Sequence, residues 1–230
     1  MSIQEQNTYN RIVNAAARLF AVKGYDGTTT REIVKEAGSS LSSLQLHFQS
    51  KESVYRAAVI QALERQHSLL KPLLDEIDLA EAQGVLSHDT SWNFIVNMID
   101  RLTEWVFSPE EHNAILLMNR EMSHPSPIFE KAPVNAMAMH RYFQKLFEAY
   151  AGIPDGFAAR FLSFSTVMSM LNFAIYPSLL SQILECDSTS ADNLIQIKFH
   201  MKSYLLTSIQ TYLDTFSTAG EPADSSDSVL

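Results

Sequence analysis

Between Thr29 and Lys51 the chain carries start and stop signals for two very short helices in succession. Thr29-Thr30-Arg31-Glu32 has the spacing of a capping box: the Thr29 hydroxyl accepts from a free first-turn amide, and Glu32 reaches back to the backbone of Thr29. That helix runs to about Ala37, and Gly38 ends it. Ser39-Ser40 opens the next, with Ser40 as its N-cap. The second helix covers about Leu41 to Phe48, with Leu41, Leu44 and Phe48 at i, i+3 and i+7. Ser50 then caps a helix that starts at Lys51. Two short amphipathic helices joined at a glycine have the spacing of a helix-turn-helix. A small three-helix bundle without any DNA-reading role shares that pattern.

A longer helix precedes the pair. From about Asn7 to Lys23, Ile12, Ala16, Leu19 and Phe20 make one apolar stripe that can close a small core. Gly24 ends it, and Asp26-Gly27 is turn chemistry. The helix from Lys51 is expected to reach about Leu70, with Pro72 ending or kinking it. Beyond a polar stretch at 84–89, helices are expected over about Thr90–Phe107, from Ser108-Pro109-Glu110-Glu111 to a break at Pro125 and Pro127, and over Ile128–Tyr150. Two more follow, Phe157–Ile175 with a kink at Pro177 towards Leu184, and Thr189–Phe216. With only 7 glycines and 8 prolines, this is an all-α chain of about nine helices. The expected division is 1–55 as the helix-turn-helix domain, 56–216 as a larger helical domain, and 217–230, small and acidic, as a disordered tail.

The net charge of −9 argues against nucleic acid when taken whole, because phosphates reward cations. Its distribution differs: residues 1–62 hold seven Lys/Arg against five Asp/Glu, and the remainder ten against 21. A mildly basic head thus precedes an acidic, solubilising body. The single cysteine, Cys186, precludes an intrachain disulfide and fits a reducing compartment. The N-terminus lacks the basic and apolar regions of a secretory signal, and no apolar run is read as reaching a membrane span. A cytoplasmic protein without membrane contact is expected. No G-x-S-x-G, H-E-x-x-H, phosphate-cradling glycine loop or CxxC occurs, and His112, His124, His140 and His200 lack metal-ligand spacing. Cys186, between Glu185 and Asp187, has its thiolate disfavoured. Neither enzyme chemistry nor a cofactor or metal is expected.

The run from Ile12 to Val59 resembles the N-terminal DNA-binding domain of the TetR family. Ala15-Ala16, Leu19-Phe20, Gly24-Tyr25, Thr28-Thr29-Thr30, Ile33, Ala37-Gly38, Leu44, His47-Phe48 and Ser50-Lys51-Glu52 carry the resemblance, in order and without gaps. Arg120-Glu121-Met122 with Pro125-Ser126-Pro127 resembles the C-terminal domain of the CecR-like branch. Where the wider family commonly has glycine and tyrosine, this chain has Ser42 and Gln45, which bears on the operator sequence. The resemblance implies a homodimeric, ligand-responsive regulator that binds a palindromic double-stranded operator, a repressor by default, released when a small-molecule effector favours misspaced heads. The helix from Lys51 is the expected lever. The alternative is a helical ligand-binding or scaffold protein that has lost specific DNA binding.

With Leu44 and Phe48 facing the core, the second short helix leaves Ser42, Ser43, Gln45, Leu46 and His47 outside. Gln45 suits bidentate pairing with adenine. Ser42 and Ser43 suit close approach to bases or phosphates. Leu46 suits a thymine methyl or, equally, packing against the first helix or simple exposure. His47 suits a phosphate or a local cap. Thr29, Thr30 and Arg31, with Ser40, sit where helix N-termini attract phosphate. Lys51 matches the family's phosphate-contacting lysine, its other reading being a solvated charge. Phe161, Phe164, Leu171, Ile195, Phe199 and Leu205 are expected at a seam with a second copy, or else in a thicker monomeric core. Trp105, Met118, Met122, Phe129, Phe143 and Met168, with Glu121, His140 and Asn172 as polar candidates, are expected to line an effector pocket; each is otherwise a core or surface group.

Overall fold

The computed structural model describes residues 2–123, 138–153 and 156–218. Among them the chain forms ten helices and no strand: α1 Ile3–Lys23, α2 Thr30–Glu36, α3 Leu41–His47, α4 Lys51–Ala82, α5 His88–Val106, α6 His112–Ser123, α7 Ala138–Ala151, α8 Phe157–Ile175, α9 Pro177–Ile183 and α10 Ala191–Thr218. The all-α class and the N-terminal helix-turn-helix are as the sequence predicts.

By packing, the chain divides into two compact units, Met1–Leu69 with Trp105–Met137, and Leu70–Glu104 with Ala138–Leu230. This division is not the functional one expected at residue 55. The first unit takes in α6 because α6 packs along α1. The whole expected tail lies at or beyond the end of α10, which runs through Thr218; residues 219–230 lie outside the described ones.

In the first unit, α1, α2 and α3 pack on one another and bury Ile12, Ala16, Phe20, Ile33, Leu44 and Phe48; Val54, Tyr55 and Val59 of α4 are buried as well. Phe20 meets Tyr55 edge-on at 4.9 Å between centroids and stacks on Tyr25 at 5.9 Å. The α1 helix starts four residues earlier than expected because Ser2 and Glu5 form a capping box of their own. The helix expected to start at Ser108, with that serine as its cap and Glu111 at the third helical position, does not start there. Glu111 instead accepts from the Arg65 guanidinium of α4, and α6 begins at His112. The ion pair takes one carboxylate oxygen, Oε1, while Oε2 is buried with no hydrogen-bond partner among the described residues.

Pro72 neither ends nor interrupts α4. It is exposed, as is Ser68, whose carbonyl loses its helical partner to the proline ring, so water can serve that oxygen. Leu70, Leu73, Leu74 and Ile77 beside it are buried and hold the helix in place.

In the second unit α7 and α10 pack on α8, and α9 folds back beside it. Phe143, Phe147, Val167, Met170, Met201, Leu205 and Ile209 are buried there. Lys145 of α7 pairs with Asp78 (3.3 Å) and Glu81 (2.5 Å) of α4, and Lys198 of α10 with Glu104 (2.6 Å). Where a kink was expected, the chain breaks at Tyr176 and restarts with Pro177 at the first position of α9. Helix α8, with Arg160 as its only charged residue, has the length and composition of a membrane span, a test that a core helix also passes, and 44% of its most apolar window is buried in the protein.

Candidate nucleic-acid interface

Both predicted caps form and are closed systems. The Thr29 hydroxyl accepts from the Glu32 amide at 3.3 Å, and the Thr29 amide donates to Glu32 Oε2 at 2.8 Å. Glu32 also takes the Lys23 ammonium at 2.7 Å. The ammonium first, and then the Thr29 hydroxyl and amide, hold its carboxyl at a pKa of about 2. Ser40 caps α3 by accepting from the Ser43 amide at 3.1 Å, and the two hydroxyls lie 2.9 Å apart. Thr29, Ser40 and Ser43 therefore position the two helices with hydroxyls already engaged. Thr30 is half-buried at the start of α2. Arg31 is exposed, with no ion pair among the described residues.

Leu44 of α3 and Phe48, its C-cap, are buried. The opposite stripe, Leu41, Ser42, Gln45 and Leu46, is open to solvent, and 72% of Leu46 is exposed. That exposure removes the packing alternative for Leu46. His47 is half-buried with its ring edge-on to Tyr9, 5.9 Å between centroids, and Tyr9 stacks on Phe48 at 5.1 Å. His47 thus ties α3 to α1 rather than standing free.

Lys51, expected at a phosphate, is engaged within the protein. Its ammonium donates to the carbonyls of Tyr25 (2.8 Å) and Thr28 (3.1 Å) and lies 4.2 Å from the centre of the Tyr25 ring. Thr28, itself buried, donates its hydroxyl to the Gly24 carbonyl at 2.8 Å. Lys51 is the brace of the turn that aims α2 and α3. Sequence reasoning passed over Arg11, Lys35 and Arg56, which are exposed and without an ion pair among the described residues.

Behind the interface, α6 holds the same turn. Tyr55 donates its phenol to Glu121, whose residue is 1% exposed. Burial first, and then that carboxylate, push the Tyr55 pKa up. The Arg120 guanidinium lies against Gly24, where φ is +75° and an added Cβ would stand 2.4 Å from Nη1. Only glycine meets both demands without strain.

The expected effector residues do not gather in one unit. Trp105, Met118 and Glu121 are buried in the first unit, with Met122 half-buried beside them in sequence. Phe143 is buried and His140 and Met168 are half-buried in the second. Asn172 is exposed, which corrects its assignment to the interior: it falls on the outer side of α8, opposite Leu171. Phe129 lies outside the described residues. Glu121 serves Tyr55, and His140 Nδ1 stands 3.0 Å from the Ser163 hydroxyl, which donates to the His140 carbonyl at 3.1 Å. Burial lowers the His140 pKa. The indole N–H of Trp105 is buried and has no acceptor among the described residues.

Two cavities are lined by other residues. A polar cleft of about 320 Å³ in the first unit is bordered by Arg18, Arg65, Gln61 and Asn113. An apolar groove of about 400 Å³ in the second is bordered by Leu180, Leu184, Ile197, Met201, Tyr204 and Phe173. Of the expected seam, Phe161, Phe164, Ile195 and Phe199 are more than half exposed. Leu171 and Leu205 are buried within their own protomer, which corrects their placement at a surface seam: they occupy the stripes by which α8 and α10 pack internally. No group of three or more metal-ligating side chains occurs among the described residues.

Residues 12–58 match the family model of bacterial regulatory proteins of the tetR family. The negative transcriptional regulator IcaR of the biofilm operon icaADBC from Staphylococcus aureus strain Newman is 44% identical over 50 residues, 22% of this chain and 27% of that protein. The match therefore spans about a quarter of the relative's length. Among solved structures, a TetR transcriptional regulator from Chloroflexus aurantiacus shares the fold with a TM-score of 0.59 at 21% identity, covering 91% of this chain and 97% of that one. AibR, solved in complex with isovaleryl coenzyme A and operator DNA, has a TM-score of 0.66 at 15% identity over 86% and 98%.

Proposed function

We propose that this chain is a TetR-family DNA-binding transcriptional regulator, a repressor released from a palindromic operator by a small molecule bound in its C-terminal helices, 56–216. The α3 stripe carries the reading: a helix of seven residues, locked by Leu44 and Phe48, that leaves Ser42, Gln45 and Leu46 unengaged and open. A second helix held this way in a helix-turn-helix can enter a major groove. Arg31, with Arg11, Lys35 and Arg56, supplies cations outside α3, and affinity is completed by two heads in one homodimer. Repression follows the role of IcaR as a negative regulator.

The effector part rests on the likeness in fold to AibR, which binds isovaleryl coenzyme A, and on the buried Trp105 indole. An unpaired buried donor costs about 1–3 kcal/mol, which an acceptor on a ligand would recover. The seam is formed by Phe161, Phe164, Ile195 and Phe199, and α4 is the lever. The C-terminal helices follow the CecR-like branch. An effector acts only as far as it binds the released arrangement more tightly than the DNA-bound one.

Selection of duplexes from a random pool by the purified chain, followed by titration across salt, tests this reading. Enrichment of an inverted repeat, with an affinity that falls steeply with salt, is expected. Equal affinity for selected and unselected duplexes would leave a helical binding or scaffold protein as the better description.

A further inference from the structure

From the reading face of α3 we infer that Leu46 is a specificity determinant that packs on the 5-methyl group of a thymine in each operator half-site, with Gln45 beside it on the neighbouring base edge. The inference rests on the proposed DNA-binding function and goes one step further, to the base it selects.

Four observations carry it. Leu46 is 72% exposed, on a helix whose core side is already filled by Leu44 and Phe48. It therefore contributes nothing to packing that a polar residue would not also allow. Ser42, Gln45 and Leu46 stand at i, i+3 and i+4 and so form one contiguous patch, and Leu41 at i−1 extends its apolar edge. The patch contains no ionisable group: α3 has no Asp, Glu, Lys or Arg. Ser40, Ser43 and His47, the polar neighbours that could compete for a base edge, are engaged with one another or with Tyr9. What α3 offers a major groove is one amide, one small hydroxyl and an aliphatic edge on which Leu46 stands out furthest.

Base edges in that groove differ in which of these they can use. An amide pairs with adenine N6 and N7, while an aliphatic side chain gains only from the thymine methyl, the one apolar group there. A guanine-rich half-site would present N7 and O6 acceptors to a helix that has no cation for them. Adjacent residues on one helix face reach adjacent base pairs, so a thymine should lie next to the adenine that Gln45 contacts.

Deoxyuridine differs from thymidine only by that methyl, which makes it the probe. A duplex selected from a random pool is resynthesised with every dT replaced by dU, and then with single replacements, and bound to wild type and to Leu46→Ala. Burial of one methyl-sized group is worth about 0.8 kcal/mol, or about fourfold in affinity per half-site. For wild type, replacement of one thymine in each half-site should weaken binding by about fifteenfold in a two-headed complex. In Leu46→Ala the dT and dU duplexes should bind alike, and that variant should keep wild-type thermal stability because the side chain is not packed. Binding of wild type that is indifferent to every dT→dU change, or a dU penalty that persists undiminished in Leu46→Ala, overturns the inference while leaving DNA binding intact. Loss of binding to all duplexes would instead remove the functional reading beneath it.

Discussion

Replacing Lys51 by methionine separates two accounts of the same residue. Methionine keeps the apolar stem over the Tyr25 ring and removes the ammonium. The loss comprises hydrogen bonds to the Tyr25 and Thr28 carbonyls at 2.8 and 3.1 Å and a cation–π contact at 4.2 Å. Hydrogen bonds from a charged donor are worth about 1.5–3 kcal/mol each and the ring contact about 0.5–1. Lys51 is half-buried, so solvent screens part of this, and the Thr28 amide still serves the Tyr25 carbonyl at 3.3 Å. A net loss of about 2–3 kcal/mol is expected, a fall of about 1 M in the urea midpoint at ordinary m-values. DNA affinity should fall with it as the turn loosens. The slope of log affinity against log salt should stay within about 0.3 of wild type, because a phosphate-contacting lysine would remove about 0.9 per head. Unchanged urea stability with a slope reduced by that full amount would refute the brace and restore Lys51 as a phosphate contact.

Other outcomes follow from the same geometry. Tyr55→Phe keeps the aromatic cluster and takes one donor from the buried Glu121 carboxylate, and should cost about 1.5–3 kcal/mol in urea unfolding; a change within ~0.5 kcal/mol would mean that the bond contributes little. Glu32 has a folded pKa of about 2 against an ordinary 4.5. Its contribution is thus present above pH 4.5 and lost as pH falls towards 2. Stability curves of wild type and Glu32→Gln should accordingly differ at neutral pH and converge over that window. Exchange of Phe161 and Phe199 for glutamate places charge on exposed apolar positions and should yield folded monomers in sedimentation, whereas an intact dimer would place the seam elsewhere.

Local chemistry in this chain was legible where it was complete within a few residues. The Thr29–Glu32 and Ser40 caps, the Gly24 turn and the Leu44–Phe48 core side could all be read from spacing. The Ser2–Glu5 box was equally readable and extended α1 beyond the predicted start. Failures came where a distant partner outbid a local one. Glu111 left its cap for Arg65, Lys51 turned inward to two carbonyls, and Glu121 accepted from Tyr55 rather than awaiting a ligand. Pro72 was overridden by the buried leucines on either side of it. Helix α8 defeated the periodicity argument for a different reason. Apolar all round, it could not reveal from sequence that Leu171 faces inward while Phe161 and Phe164 face out.

The account turns on two joined copies presenting two α3 helices to one duplex. Analytical ultracentrifugation of the purified chain with a selected duplex, at low ionic strength, tests that directly. Two chains per duplex, preformed as a dimer without DNA, is the predicted result; a monomer that binds singly, or a chain that sediments apart from every duplex offered, contradicts it.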